Sequence, residues 1–122
     1  MTAALGARMH SLGMVVRGTL SRERWIEMLH AVARAVGMTP VGKETVCDYP
    51  VDGKGGTGQT IFLPITESFL ILDTWSDHDG AYLFVCSCRP YFSADVDKVA
   101  QQFGLKVALN GERRFYRELA LA

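Results

Sequence analysis

Hydrophobic positions along the chain fall into segments with two different periods. Trp25, Met28, Leu29, Val32 and Val36 recur at the i, i+3, i+4, i+7, i+11 spacing that lines one side of a helix. Ser21 stands where that helix needs a cap, and Gly37 where it must stop. A second stripe, Val96, Val99, Ala100 and Phe103, follows Ser93 and ends at Gly104, which predicts a second helix capped by Ser93. Between the two lie TIFLPI from Thr60, SFLILDTW from Ser68 and AYLFVCSC from Ala81, rich in β-branched and aromatic residues and divided by short polar turns. These read as the central strands of a sheet.

Weaker signals complete the order. GMVVRG from Gly13 reads as a short apolar strand, and Thr39 to Tyr49, with Val41 and Val46, as another. LKVAL, the Asn110-Gly111 turn signal and RRFYREL predict a closing hairpin, although RRFYREL also suits a helix. Two helices cannot cover both faces of so many strands. The expected fold is therefore α+β, a two-layer α/β sandwich with a mainly antiparallel sheet and two helices on one face. With Met9 and Met14 as alternative starts, residues 1–12 read as a disordered leader, and residues 13–122 as one domain. A sheet face left bare would be a partner surface, and a homodimer is the simplest partner.

Composition narrows the functional classes. With 122 residues, one core is the expectation, and 13 basic side chains balance 13 acidic ones. That balance offers no electrostatic case for binding nucleic acid or an anionic membrane. No apolar run approaches the length of a spanning helix, and Arg8 and His10 interrupt what a signal peptide would need, so a cytoplasmic protein is expected. Cys47, Cys86 and Cys88 show no zinc-knuckle spacing and are expected to be reduced thiols. The loop YPVDGKGGTG resembles a phosphate loop only in composition: its lysine precedes the glycine pair, and strand residues rather than a helix come after it. His78, between Asp77 and Asp79, looks like a metal ligand, but three consecutive residues rarely converge on one ion.

Candidate chemistry concentrates around Glu67-Ser68. Alone, the pair is read as a turn whose serine is satisfied by local backbone. It stands, however, in register with Gly58 and Thr60, with Thr74-Trp75 and the acid Asp77, with Cys88, and with a helix ending at Phe103. This joint pattern resembles the core of the bacterial S-adenosylmethionine decarboxylases, pyruvoyl-dependent enzymes of polyamine and spermidine biosynthesis.

The resemblance implies a zymogen that cuts itself. Ser68 would attack the carbonyl of Glu67, turning an amide into an ester, and β-elimination would sever the chain between Glu67 and Ser68. A pyruvoyl group derived from Ser68 would then serve as the cofactor, taking the substrate amine as a Schiff base and accepting the electrons released with carbon dioxide. Neither a metal nor pyridoxal phosphate is implied. Cys88 would protonate the product, a task suited to a thiol near neutrality; its competing reading is a small core residue. Thr60, Phe69 and Asp77 fall at substrate-binding positions, Asp77 as the acid that holds the ribose hydroxyls, with a solvated turn acid as its alternative.

Two positions depart from the family pattern. Histidines are expected directly after Glu-Ser and just before Thr-Trp, where this chain has Phe69 and Asp73. The second is the family's base in chain cleavage, so the resemblance assigns that catalytic role to Asp73. Three functions are compatible with the pattern: a self-processing S-adenosylmethionine decarboxylase, a pyruvoyl decarboxylase of a smaller amino acid such as ornithine or arginine, and an uncut homologue acting as a binding or regulatory subunit.

Overall fold

The computed structural model describes residues 8–50, 57–75, 78–109 and 111–120. They form seven strands and two helices: β1 (Arg8–Arg17), α1 (Arg22–Ala35), β2 (Thr45–Pro50), β3 (Thr57–Ile65), β4 (Ser68–Trp75), β5 (Gly80–Ser87), α2 (Ser93–Gln102), β6 (Lys106–Val107) and β7 (Arg114–Ala120). A single 3-10 turn, Gly111–Arg113, precedes β7. All strand pairs are antiparallel, in the order β2-β3-β4-β5-β1-β6, with β7 also on β1.

β1 begins at Arg8, so residues 8–12 of the expected leader are ordered strand. Leu12 is fully buried between Val85 and Tyr116, its neighbours across β5 and β7. The polar residues that disguised this strand have partners on β7: Arg8 pairs with Glu118 at 3.3 Å, and the His10 ring lies beside Tyr116.

Both helices end as expected, with Gly37 and Gly104 at positive φ. Ser21 caps α1, its hydroxyl accepting the Arg24 N–H at 3.2 Å. At α2 the expected cap shifts by one residue. Phe92 holds the extended cap conformation without a side-chain bond, Ser93 is the first helical residue, and the Asp95 carboxylate supplies negative charge to the first turn instead.

β2 starts at Thr45 rather than Thr39. Upstream of it, Pro40 lacks an N–H for a ladder and makes only an isolated bridge to Ile65, while Val41 stays exposed. The expected closing hairpin is also absent. β6 and β7 do not pair with each other: both lie along the same edge of β1, Val107 opposite Val16 and Arg114 opposite Met14. The chain therefore leaves that edge and rejoins it, and Arg114 pins the excursion by binding Asp97 at 2.8 and 3.0 Å and the Ala108 carbonyl at 3.1 Å.

The core follows from strand alternation. Leu12, Met14 and Val16 of β1, Leu83 and Val85 of β5, Leu70 and Leu72 of β4, and Ile61, Leu63 and Ile65 of β3 form one buried cluster. The stripes of α1 (Trp25, Met28, Leu29, Val32) and α2 (Val96, Val99, Ala100) join that same cluster. Burying each large aliphatic side chain contributes about 1.5–3 kcal/mol. The alternate positions face the other way, and several of them are large and apolar: Phe62 stacks on Phe69 with centroids 6.2 Å apart, and Tyr82, Phe115 and Leu119 are exposed. Gly13 belongs to this side, where the Phe115 ring lies so close that a Cβ would meet it at 2.3 Å.

Candidate active site

The Glu67-Ser68 bond sits at the tip of the β3–β4 hairpin. Ile65 pairs with Ser68, which leaves a two-residue loop of Thr66 and Glu67. Such loops favour a left-handed φ at both positions or at the first, usually filled by glycine or asparagine. Here the left-handed residue is the second, Glu67 (φ 53°), the one non-glycine with positive φ among the described residues. For an ordinary L-residue that conformation costs roughly 1–2 kcal/mol. The strain adjoins the peptide bond expected to break.

Neighbouring segments hold the turn in place. The Thr66 N–H donates to the Thr39 carbonyl at 3.2 Å, and the Val41 N–H to the Pro64 carbonyl at 3.1 Å. From the other side, the Cys88 N–H donates to Ser68 Oγ at 2.9 Å, and Cys88 Sγ lies 3.9 Å from the Thr66 carbonyl oxygen. β5 ends at Ser87, whose buried hydroxyl accepts the Arg89 N–H at 3.0 Å, and this bend carries Cys88 to Ser68. A donated N–H withdraws charge from Oγ and favours its deprotonated form, as a nucleophilic hydroxyl requires. Ser68 is itself buried.

A cavity of about 250 Å³ opens beside the turn, lined by Gly37, Met38, Thr39, Thr66, Glu67, Cys88 and Arg89. Thr39 and Arg89 are contributions that sequence patterning did not single out. The Arg89 guanidinium has no hydrogen-bonding or ionic partner among the described residues. A cation directly after Cys88 was the only available signal for it.

The other sequence-derived candidates lie elsewhere. Asp73 accepts the Thr60 hydroxyl at 2.9 Å, and these two residues pair across β3 and β4. Asp73 and Ser68 are separated by five residues of one strand, roughly 17 Å at the usual rise, and alternation puts them on opposite faces. Phe69 likewise points away from Ser68, onto Phe62. Asp77 lies outside the described residues, as does the middle of the glycine-rich loop; the segment after that loop is the strand β3, in keeping with the order of its residues. Asp79, two residues beyond Asp77, accepts the Thr19 hydroxyl at 2.8 Å. Cys47, Cys86 and Cys88 are all free thiols. Among the described residues no cluster of histidine, cysteine or acidic side chains could hold a metal ion, and no helix is long and apolar enough to cross a membrane.

The class defined by this fold is the α+β antiparallel sheet of seven strands with two helices. A solved structure with the same architecture is the adenosylmethionine decarboxylase from Aquifex aeolicus, which superposes with a TM-score of 0.57 at 17% identity, over 93% of this chain and 89% of that one. No family model and no curated protein matches the sequence. The fold thus resembles that of an S-adenosylmethionine decarboxylase.

Proposed function

We propose that the chain is a self-processing, pyruvoyl-dependent decarboxylase acting on S-adenosylmethionine in polyamine synthesis in the cytoplasm. The observation that carries this reading is the left-handed Glu67 next to a buried Ser68 whose hydroxyl is held by the Cys88 N–H. Ser68 Oγ attacks the Glu67 carbonyl carbon, its proton moves to the amide nitrogen, and the C–N bond breaks as an ester forms. Loss of the Cα proton then expels the Glu67 carboxylate, and addition of water with release of ammonia leaves the new terminus as a pyruvoyl group. These residues fit that group: the strained turn favours its formation, and a cavity with an arginine adjoins the position it would occupy. The group, once formed, supplies an electron sink for decarboxylation. Around it, Arg89 binds the substrate carboxylate and Cys88 returns a proton to the product carbon.

The same reading takes the two helices as one layer on the buried sheet face, and a second copy of the chain as the cover for the apolar opposite face. Asp73 and Thr60 lie on that opposite face, so a role for Asp73 at the cleavage bond requires it to come from the second copy. Thr60, Phe69 and Asp77 are then the substrate-contacting positions. A second reading, decarboxylation of a smaller amino acid such as ornithine or arginine, is favoured by the cavity: about 250 Å³ is below the 300–1,000 Å³ usual for pockets that enclose a drug-sized ligand. Release of labelled carbon dioxide from S-adenosylmethionine, ornithine and arginine separates the two. Turnover of none of them by cut protein would refute both, and full activity in Cys88→Ala would remove the role given to Cys88.

A further inference from the structure

A second cavity, of about 350 Å³, lies away from Ser68, between the end of β1, the start of β5 and the excursion that separates β6 from β7. Arg17, His78, Tyr82, Glu112 and Arg113 supply its polar lining, with Val15 as an apolar wall. Its construction explains why the edge strand is interrupted. A continuous β6–β7 strand would keep pairing with β1; instead the chain departs after Val107, and the Gly111–Arg113 turn brings Glu112 and Arg113 to the mouth of the cavity.

The two adjacent arginines have different roles. Arg114 is consumed by structure, bound to both oxygens of Asp97 and to the Ala108 carbonyl, which fixes the base of the excursion. Arg113 and Arg17 line the cavity and have no hydrogen-bonding or ionic partner among the described residues. Among the described lining residues, two guanidinium groups beside an imidazole and a phenol outnumber the single carboxylate of Glu112. Arginine forks match carboxylate and phosphate oxygens in bidentate geometry.

We infer that this cavity is a binding site for a small oxyanion-bearing molecule, a phosphate or carboxylate compound, held between Arg17 and Arg113. The volume is in the range of small-molecule pockets, and within one chain the site is separate from the hairpin turn and its cavity. Glu112 opposes the anion and sets an upper limit on its affinity.

The opposed charges give a test with two signs. Inorganic phosphate and citrate are titrated into the full-length protein at constant ionic strength by calorimetry, the two probes distinguishing phosphate from polycarboxylate ligands. Saturable binding of at least one is expected. Arg113→Gln and Arg17→Gln should each weaken it about 10- to 100-fold, as loss of a charged hydrogen-bonding partner does, with Arg113→Lys intermediate. Glu112→Gln should tighten it. Lys98→Ala, which is not part of the cavity lining, serves as the control and should leave it unchanged. Circular dichroism establishes that each variant is folded. No saturable binding of either probe, or equal binding by the wild type and both arginine variants, overturns the inference; so does Glu112→Gln binding more weakly. None of these readouts uses chain cleavage or decarboxylation.

Discussion

Replacing Glu67 by glycine separates backbone strain from side-chain chemistry at the hairpin tip. Glu67 holds φ 53°, a conformation that costs a non-glycine residue roughly 1–2 kcal/mol and glycine almost nothing. Glycine adds about 0.5–1 kcal/mol of chain entropy to be lost on folding, so the net gain in stability is about 0–1.5 kcal/mol. The effect on cleavage is larger. If the strain is released as the Glu67 carbonyl is attacked, removing 1–2 kcal/mol of it from the ground state slows the reaction about 5- to 30-fold. Glu67→Ala keeps the strained φ and loses only the carboxylate, so it should cleave at close to the wild-type rate. The assay is cell-free synthesis followed by intact-mass sampling over time, with urea unfolding for stability. Glu67→Gly cleaving as fast as the wild type, or Glu67→Ala slowing as much as Glu67→Gly, would refute a role for backbone strain.

Other perturbations test the fold and its coupling to the site. Leu72 is fully buried in the central strand β4, and Leu72→Ala should cost about 2–5 kcal/mol in urea unfolding. Burial raises the Tyr91 phenol above its ordinary 10.0, and its hydroxyl donates to the Val85 carbonyl at 2.8 Å. With the folded value raised, stability is fully present below pH 10.0 and falls as pH rises above it, because the unfolded chain ionises first. Tyr91→Phe should flatten that alkaline limb of the stability curve, though at a cost in stability near neutrality. Neither Ser68→Ala nor Asp73→Asn should be cut efficiently when expressed alone. Co-expressed, they should restore cleavage of the Asp73→Asn chain, detected by mass together with a dimer on gel filtration; a monomer, or no complementation, counts against Asp73 acting across two copies.

Much of this organisation was legible in the chain because periodicity reports burial directly. Trp25 to Val36 could only be one face of a helix, and the inward positions of SFLILDTW, Leu70 and Leu72, are fully buried. What escaped were features set by distant partners. Arg8 and His10 conceal the start of β1 because Glu118 and Tyr116, a whole chain length away, are what make a strand tolerable there. Asn110-Gly111 looks like a hairpin turn locally, and only the pairing of β6 and β7 with the same strand converts it into an excursion. At the site, one hydrogen bond across the ends of β4 and β5 joins Ser68 and Cys88. Ser68 and Asp73 are close in sequence only, since five residues of strand are a long distance and reverse the face. Strain at Glu67 had no sequence signal, since glutamate is not a residue chosen for left-handed backbone.

The most direct test of the account is the intact mass of purified protein after prolonged incubation. Two fragments are predicted, one ending at Glu67 and the other beginning at the former Ser68 and lighter by one ammonia than a chain cut to the same N-terminal residue but left unmodified, replaced in Ser68→Ala by a single uncut chain. Wild-type protein that stays at the mass of the continuous 122-residue chain would contradict it.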